Sequence, residues 1–407
     1  MKVVSFFALS LVVCTFGCSE PEAGKNFPQN KTVGAAKDSP TPTPTPTPTN
    51  AKTSEPPVPL EKTAIVRPSG GKPHPYTIRP GCAAFSPDGK QVLIGFGHGM
   101  FGPRKPPGWS VQLFEVETGK HLRTLNGHQG DVRFVAFFPD GKTAISAGDD
   151  GWFRVWDVDK GVEVRRFPGK VHDAVMLRDG KRLLCSFRRL QLWDAVEGKL
   201  LEEYNEFSNP VSSITVSPDG NRALFGGIPS VEDGIEDLTL LRLWDVEKGK
   251  VLRAFDPKKD RLGRPCAFSE DSKFAVSFRE DEKAKKLNGV LWEVSSGKEI
   301  NEFPVSVFAP QTLYLSLKEN RIVIVGWQGD LVCLDAKSGK ELWATKAPGI
   351  GVFAFSANGK RALSAGGVMN HPVYRGIILW DLETGKELRR LTPNFDEPQA
   401  PLPANDP

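Results

Sequence analysis

The sequence predicts an all-β fold built from seven similar units, each of four short strands. Two markers that recur between residues 75 and 393 carry this prediction. The first is an acidic residue at the end of an apolar segment, with a glycine always four residues later. The seven acids are Glu115, Asp157, Asp194, Asp245, Glu293, Asp335 and Asp381. Glycine supplies the positive φ that a tight turn needs, so each acid marks the end of one strand and the start of a hairpin turn.

The second marker is a turn-forming segment upstream of each acid. It is clearest at 86–89, 138–141, 217–220 and 356–359, and it recurs in weaker form at 178–180, 269–272 and 318–320. Pro, Asp, Asn and Gly each suit a particular turn position, and apolar strands follow these segments. Successive acids lie 37 to 51 residues apart, which is room for four strands, a, b, c and d. A four-stranded sheet cannot bury both faces alone, whereas seven sheets arranged radially can, so we predict a seven-bladed β-propeller.

Tryptophan precedes the acid in five units, at Trp156, Trp193, Trp244, Trp292 and Trp380. With the two markers, and in this order, these residues resemble the repeats of the WD40 family over about 75–393. The resemblance implies a seven-bladed WD40-type β-propeller in which the strand-c tryptophans are structural. In the second blade it also implies a hydrogen-bond network of His128, Ser146, Asp150 and Trp156.

The other units depart from the WD40 pattern. Six of the seven lack the Gly-His pair found at Gly127 and His128, so we expect them to depend more on apolar packing. The sixth unit, around 329–343, resembles the repeat of quinoprotein-type propellers, which share the architecture. The last unit already has its own strand d near 387–391, so an exchanged N-terminal strand is not needed; alternatively, 63–66 or 76–79 adds to a blade edge.

The N-terminus predicts export. Lys2 precedes an apolar stretch, 3–13, that has the length of a signal-peptide core and is too short to span a bilayer. Residues 15–18 resemble a bacterial lipobox, which implies that 1–17 are a signal peptide and that Cys18 is lipidated as the first mature residue; ordinary secretion is the alternative. We expect 18–62 to be a disordered Thr-Pro linker, 63–393 the propeller and 394–407 a disordered Pro-rich tail.

Composition and motifs favour binding over catalysis. The net charge is only +4 and evenly scattered, so nucleic acid is not a predicted partner. Cys82, Cys185, Cys266 and Cys333 lie in different units without metal-binding spacing and are predicted to be buried free thiols. Because nucleotide-binding, nucleophile-elbow and zinc-protease motifs are missing from the sequence, we predict no cofactor, no metal and no enzymatic activity.

The predicted binding site lies on the face formed by the b-to-c and d-to-a connections, called the top face below. The b-to-c connections at 97–109, 226–238, 279–288 and 366–376 are long, and variable loops on a rigid scaffold usually carry recognition. Candidate partner-binding residues are Phe101, Arg104 and Trp109 in the first loop and His371, Tyr374 and Arg375 in the last. Aromatic and Arg side chains are frequent interface anchors, and these two loops meet where the ring closes. The acidic cluster within 232–237 is interpreted as a solvated loop, with calcium binding as the alternative.

Taken together, these features predict a monomeric, non-enzymatic scaffold that is anchored by lipid outside the bacterial cytoplasm, in the periplasm or at the cell surface. Its predicted partner is a protein or peptide on the top face. Two alternatives stay open: an envelope or outer-membrane assembly lipoprotein, and a propeller hydrolase or lyase with a site built from loops.

Overall fold

A computed structural model describes residues 78–97, 109–187, 189–204, 211–227, 241–255, 262–281, 286–307, 310–326, 329–347, 352–367 and 374–395. These residues form 28 strands in seven antiparallel sheets of four strands each. The predicted all-β, seven-bladed propeller is therefore confirmed. The signal peptide, Cys18, the Thr-Pro linker and residues 396–407 lie outside the described residues. Within the described part of the chain, no helix is long and apolar enough to cross a membrane.

Each blade is a meander of consecutive strands. Blades 1 and 2 contain β1 (Arg79–Phe85), β2 (Gln91–Gly97), β3 (Ser110–Glu115), β4 (His121–Asn126), β5 (Val132–Phe137), β6 (Thr143–Gly148), β7 (Trp152–Asp157) and β8 (Val162–Pro168). Blades 3 and 4 contain β9 (Asp173–Met176), β10 (Arg182–Ser186), β11 (Leu190–Asp194), β12 (Lys199–Tyr204), β13 (Val211–Val216), β14 (Arg222–Gly227), β15 (Leu241–Asp245) and β16 (Lys250–Ala254). Blades 5 and 6 contain β17 (Leu262–Phe268), β18 (Phe274–Asp281), β19 (Lys286–Glu293), β20 (Glu299–Val305), β21 (Pro310–Ser316), β22 (Arg321–Gly326), β23 (Asp330–Asp335) and β24 (Glu341–Lys346). Blade 7 contains β25 (Val352–Phe355), β26 (Arg361–Gly367), β27 (Tyr374–Asp381) and β28 (Glu387–Leu391).

The apolar core lies between neighbouring blades. Phe153 and Phe167 of blade 2, for example, belong to the same buried cluster as Ala174 and Met176 of blade 3. In blade 2, strands a to c are almost wholly buried, whereas most residues of the outer strand d, β8, are exposed or half-buried. Burial of both faces of each sheet thus depends on its two neighbours, and this dependence favours a closed ring.

Local turn chemistry explains the spacing of the first marker. In blade 1 the N–H of Gly119 donates to the carbonyl oxygen of Glu115 at 2.9 Å, and Gly119 has a φ of 73°. All seven glycines of this marker have φ between 59° and 73°. In blade 2 the carboxylate of Asp157 also accepts the N–H of Lys160 at 2.9 Å. The acid and the glycine are therefore two ends of one hydrogen-bonded turn between strands c and d.

One predicted loop is largely a strand hairpin. The chain at 279–288 was expected to be a loop, but β18 continues to Asp281 and β19 begins at Lys286, and these two residues pair with each other. The Arg279 guanidinium donates to the Glu302 carboxylate on β20 at 2.8 Å and also contacts Glu299. Opposite charges on neighbouring strands stabilise a sheet, so the contacts of Arg279 with strand d support the longer hairpin.

The ring closes without an exchanged strand among the described residues, because β1 contacts β5 on one side and β25 on the other. The chain after β28 also contacts blade 1 at this junction, through two hydrogen bonds between Gln112 and Asn394 that are called the clasp below. The Gln112 side chain of blade 1 donates to the carbonyl oxygen of Asn394 at 2.6 Å and accepts the N–H of Asn394 at 3.0 Å. The ring of Phe395 packs edge-on against Phe96 at 5.2 Å between centroids. Contacts of the propeller therefore extend to 395, two residues into the segment predicted as a tail.

Candidate functional site

The lengths of the connections distinguish the two faces of the propeller. On the face opposite the top face, every connection between strands a and b or c and d has four or five residues. The b-to-c connections of the top face range from three residues, 149–151, to thirteen, 228–240. Among these connections, length differences of more than one residue thus occur only on the top face.

The predicted partner-binding residues are only partly within the described chain. Phe101, Arg104 and His371 lie outside the described residues, as does the acidic segment 232–237. Trp109 is half-buried immediately before β3. Tyr374 and Arg375 are the first residues of β27, and Tyr374 pairs with Gly367 across the sheet. β3 and β27 belong to the first and last blades, which adjoin at the ring closure.

The four side chains singled out in blade 2 meet at the top of the blade. The Nδ1 of His128 lies 3.0 Å from the Asp150 carboxylate, and its Nε2 lies 2.7 Å from the hydroxyl of Ser146. The indole N–H of Trp156 donates to the same hydroxyl at 2.8 Å. Each polar atom of these four side chains that faces the network thus has a hydrogen-bond partner within it.

Further contacts join this network to the top-face connections. Burial on its own raises the pKa of Asp150, but the hydrogen bond and charge of His128 and the N–H of Gln129 hold that pKa below its usual value. The buried Arg154 contacts Asp150 at 3.5 Å and also pairs with Glu163 on strand d. The network therefore ties the d-to-a connection, the b-to-c turn and strands c and d together, which fixes the top of blade 2.

Other strand-c tryptophans retain part of this arrangement. Trp292 donates to Ser277 at 3.1 Å and Trp380 donates to Ser364 at 2.8 Å. These serines were not anticipated, although each is the fourth residue of strand b, as Ser146 is. The expectation that the other blades depend mainly on apolar packing thus needs a correction for blades 5 and 7, where a buried serine satisfies the indole N–H.

Blades 3 and 4 surround their tryptophans differently. Trp193 is half-buried and donates to its own strand neighbour Gln191 at 3.1 Å. Trp244 is fully buried, and the rings of Tyr204 and Phe225 lie 5.0 and 5.8 Å from it between centroids. In these two blades Cys185 and Phe225 stand at the strand-b position that serine occupies in blades 2, 5 and 7.

The four cysteines within the described residues are free thiols. Cys82, Cys185 and Cys333 are buried as predicted, but the prediction is wrong for Cys266, which is half-buried. Burial raises the pKa of Cys333 to about 12 and also raises that of Cys185. Both are therefore poor nucleophiles at neutral pH, because the thiolate is the reactive form. Across the residues that the structure describes, no group of three His, Cys, Asp or Glu side chains could hold a metal ion.

Comparison with known proteins finds a family, relatives and a solved structure that are similar to this chain. Residues 119–157 match the family "WD domain, G-beta repeat". The match runs from the c-to-d turn of blade 1 to the acid that ends strand c of blade 2, and so contains His128, Ser146, Asp150 and Trp156. The chain therefore contains a WD40 repeat within its seven-bladed propeller.

Curated relatives are similar in sequence to parts of this chain. The chain is 32% identical over 123 residues to Target of rapamycin complex subunit wat1 of Schizosaccharomyces pombe, covering 28% of this chain and 39% of the relative. It is 24% identical over 168 residues to the CCR4-associated factor 4 homolog of Candida glabrata, covering 36% of this chain and 29% of the relative. The chain thus spans well under half the length of these relatives.

A solved structure, Kuenenia stuttgartiensis hydrazine synthase, contains a chain of similar fold. The TM-score is 0.59 at 15% identity, and the match covers 75% of this chain and 96% of that one. At this identity the similarity concerns the propeller fold alone.

Proposed function

We propose that this WD40 propeller is a non-enzymatic scaffold that binds a protein or peptide through its top face. The supporting observation is the hydrogen-bond network of blade 2, which connects His128 and Asp150 in two top-face connections to Trp156 in the sheet. A surface held in place before binding loses little conformational freedom on association, so such a network suits recognition.

The partner site of this proposal includes the loops of blades 1 and 7 that carry Phe101, Arg104 and Trp109, and His371, Tyr374 and Arg375. The contrast between uniform connections on one face and variable ones on the top face supports this choice. One relative is by its name a subunit of a protein complex, which agrees with a role in assembly.

We further propose that the propeller acts outside the cytoplasm on a lipid anchor. The apolar segment 3–13 and the lipobox-like residues before Cys18 support this location. The Thr-Pro linker would hold the propeller away from the membrane, because an extended polyproline chain rises about 3.1 Å per residue. Replacement of Cys18 by Ser tests the anchor: the protein should move from the detergent phase to the aqueous phase after phase partition, and an unchanged distribution would contradict it.

Affinity capture of the full chain from native membrane extract tests the scaffold. A partner that is retained by the native chain and lost by the F101A/W109A/Y374A variant is the expected result. The variant must unfold at the same temperature as the native chain. If the two forms retain the same proteins, or retain none, the proposed top-face site is wrong. Co-purification of an outer-membrane assembly complex would instead favour the assembly lipoprotein.

A further inference from the structure

A second surface of the top face, between blades 2 and 3, combines cations with aromatic rings. The guanidinium carbon of Arg166 lies 5.1 Å from the ring centroid of Trp152, and the Lys170 ammonium lies 5.8 Å from that of Phe187. The ring of His172 stacks on Phe187 at 5.2 Å with 25° between the planes. These five residues are called the cation-aromatic ridge.

Backbone hydrogen bonds hold the two halves of the ridge together. Trp152 begins β7 and pairs with Pro168 at the end of β8. From there the N–H of Gly169 donates to the carbonyl oxygen of Gly151 at 2.9 Å, next to Trp152. The N–H of His172 donates to Ser186 of blade 3 at 2.6 Å, beside Phe187. The ridge is therefore one continuous surface built from three top-face segments.

The exposure of the ridge residues differs from that of a core cluster. Arg166, Lys170 and His172 are exposed, whereas Trp152 and Phe187 are half-buried and support them. The buried apolar contacts between these blades are made by other residues, such as Phe153 and Phe167. The ridge thus presents charged groups on aromatic supports, which is the composition of many interface centres.

The nearby carboxylates are already engaged with other cations. Asp150 is bound to His128, and Asp149 accepts two hydrogen bonds from Arg133. Glu163 lies 3.9 Å from Arg166 but is shared with Arg154. Among the described residues, Lys170 has no ion-pair partner. The ridge therefore has positive charge that its own neighbours do not neutralise.

We propose that the cation-aromatic ridge binds an acidic peptide segment of a partner protein, which deepens and rests on the proposed scaffold function. Carboxylates of the segment would pair with Lys170 and Arg166, while apolar side chains between them would contact Trp152 and Phe187. A short acidic segment suits this surface better than nucleic acid, because specific binding of a nucleic acid commonly neutralises several phosphates in a row. The ridge offers only two cations, Arg166 and Lys170, on a chain whose net charge is +4.

Fluorescence anisotropy with a labelled peptide of alternating Glu and Leu tests this proposal on the full chain. We expect the K170E variant to bind the peptide at least about tenfold more weakly, because charge-assisted hydrogen bonds are replaced by repulsion. K142E is the matched control, since Lys142 is an exposed lysine of the same blade in the turn between β5 and β6, on the opposite face. It should bind within about twofold of the native chain.

Two further probes define the chemistry. A peptide with Gln in place of Glu should bind the native chain more weakly, and F187A should weaken binding of the acidic peptide while Lys170 remains. Equal affinity of K170E and K142E, equal binding of the Gln peptide, or tighter binding of single-stranded oligouridylate would overturn the proposal. Affinity capture from membrane extract with the K170E variant distinguishes failure of the ridge proposal from failure of the scaffold proposal. A partner lost by F101A/W109A/Y374A but retained by K170E leaves the scaffold intact and rejects the ridge.

Discussion

The clasp between Gln112 and Asn394 should contribute measurably to the stability of the whole ring. The Gln112 side chain is fully buried and exchanges two hydrogen bonds with the Asn394 backbone, across 282 residues of chain. The substitution Gln112→Leu preserves most of the side-chain volume but removes both bonds. Each hydrogen bond contributes about 0.5–1.5 kcal/mol net, and loss of its partner exposes the desolvation penalty of a buried backbone group. We expect a loss of about 1–3 kcal/mol in the free energy of unfolding.

Urea denaturation followed by tryptophan fluorescence measures this loss. Gln191→Leu is a matched control, because Gln191 holds the same strand-c position in blade 3. Its side chain bonds Glu203 and Trp193 within one blade and is partly exposed, so water can replace those bonds. Gln112→Leu should therefore lower the free energy of unfolding more than Gln191→Leu does. Phe395→Ala should cost less stability in a chain that already carries Gln112→Leu than in the native chain, because both substitutions act on the same segment. Equal losses for the two glutamine variants would refute the role of the clasp.

Four further outcomes follow from the described contacts. Ser146→Ala should destabilise the fold by about 1–3 kcal/mol and more than Ser277→Ala, because it deprives two buried partners of a hydrogen bond rather than one; thermal unfolding compares them. Urea denaturation should show that Gly385→Ala is more destabilising than Gly89→Ala. Both glycines have φ near 70°, but only at Gly385 would the new Cβ meet a ring, because it would lie 2.6 Å from the Trp343 side chain. Asp150 has a lowered pKa in the folded state, so its contribution to stability is present above the unfolded pKa and is lost as pH falls through the folded value; Asp150→Asn should flatten the stability profile below about pH 4. Cys185 and Cys333 should react with a thiol reagent only after unfolding, and fast labelling of the native chain would contradict their burial.

The repeats were predictable because the turn chemistry is local. The acid and glycine of each c-to-d turn are four residues apart, and in six of the seven blades the glycine N–H donates to the carbonyl oxygen of the acid, so the pattern is visible in a linear sequence. The a-to-b turns are almost as easy to recognise in the sequence, although Ser272 and Asn320 adopt positive φ of 60° and 53° where other blades have glycine. Such residues pay a small strain energy, and the neighbouring turn residues still identify the hairpin.

Partners of the buried indoles were harder to predict. The His128 network could be inferred because the family resemblance supplied all of its members, but Ser277 and Ser364 required the register of strands b and c. A fourth-position serine in strand b could have signalled them. It is a weak signal, because serine is also common on exposed strands.

By itself, the sequence determined the number of blades, the four strands of each blade and the turns between them, because these depend on contacts between residues close along the chain. Only the tertiary structure decided which distant residues meet. The clasp joins Gln112 to Asn394, and the cation-aromatic ridge joins Trp152 of one blade to Phe187 of the next. Interfaces between blades are built from side chains without a fixed spacing, so their partners become apparent only when the ring is closed.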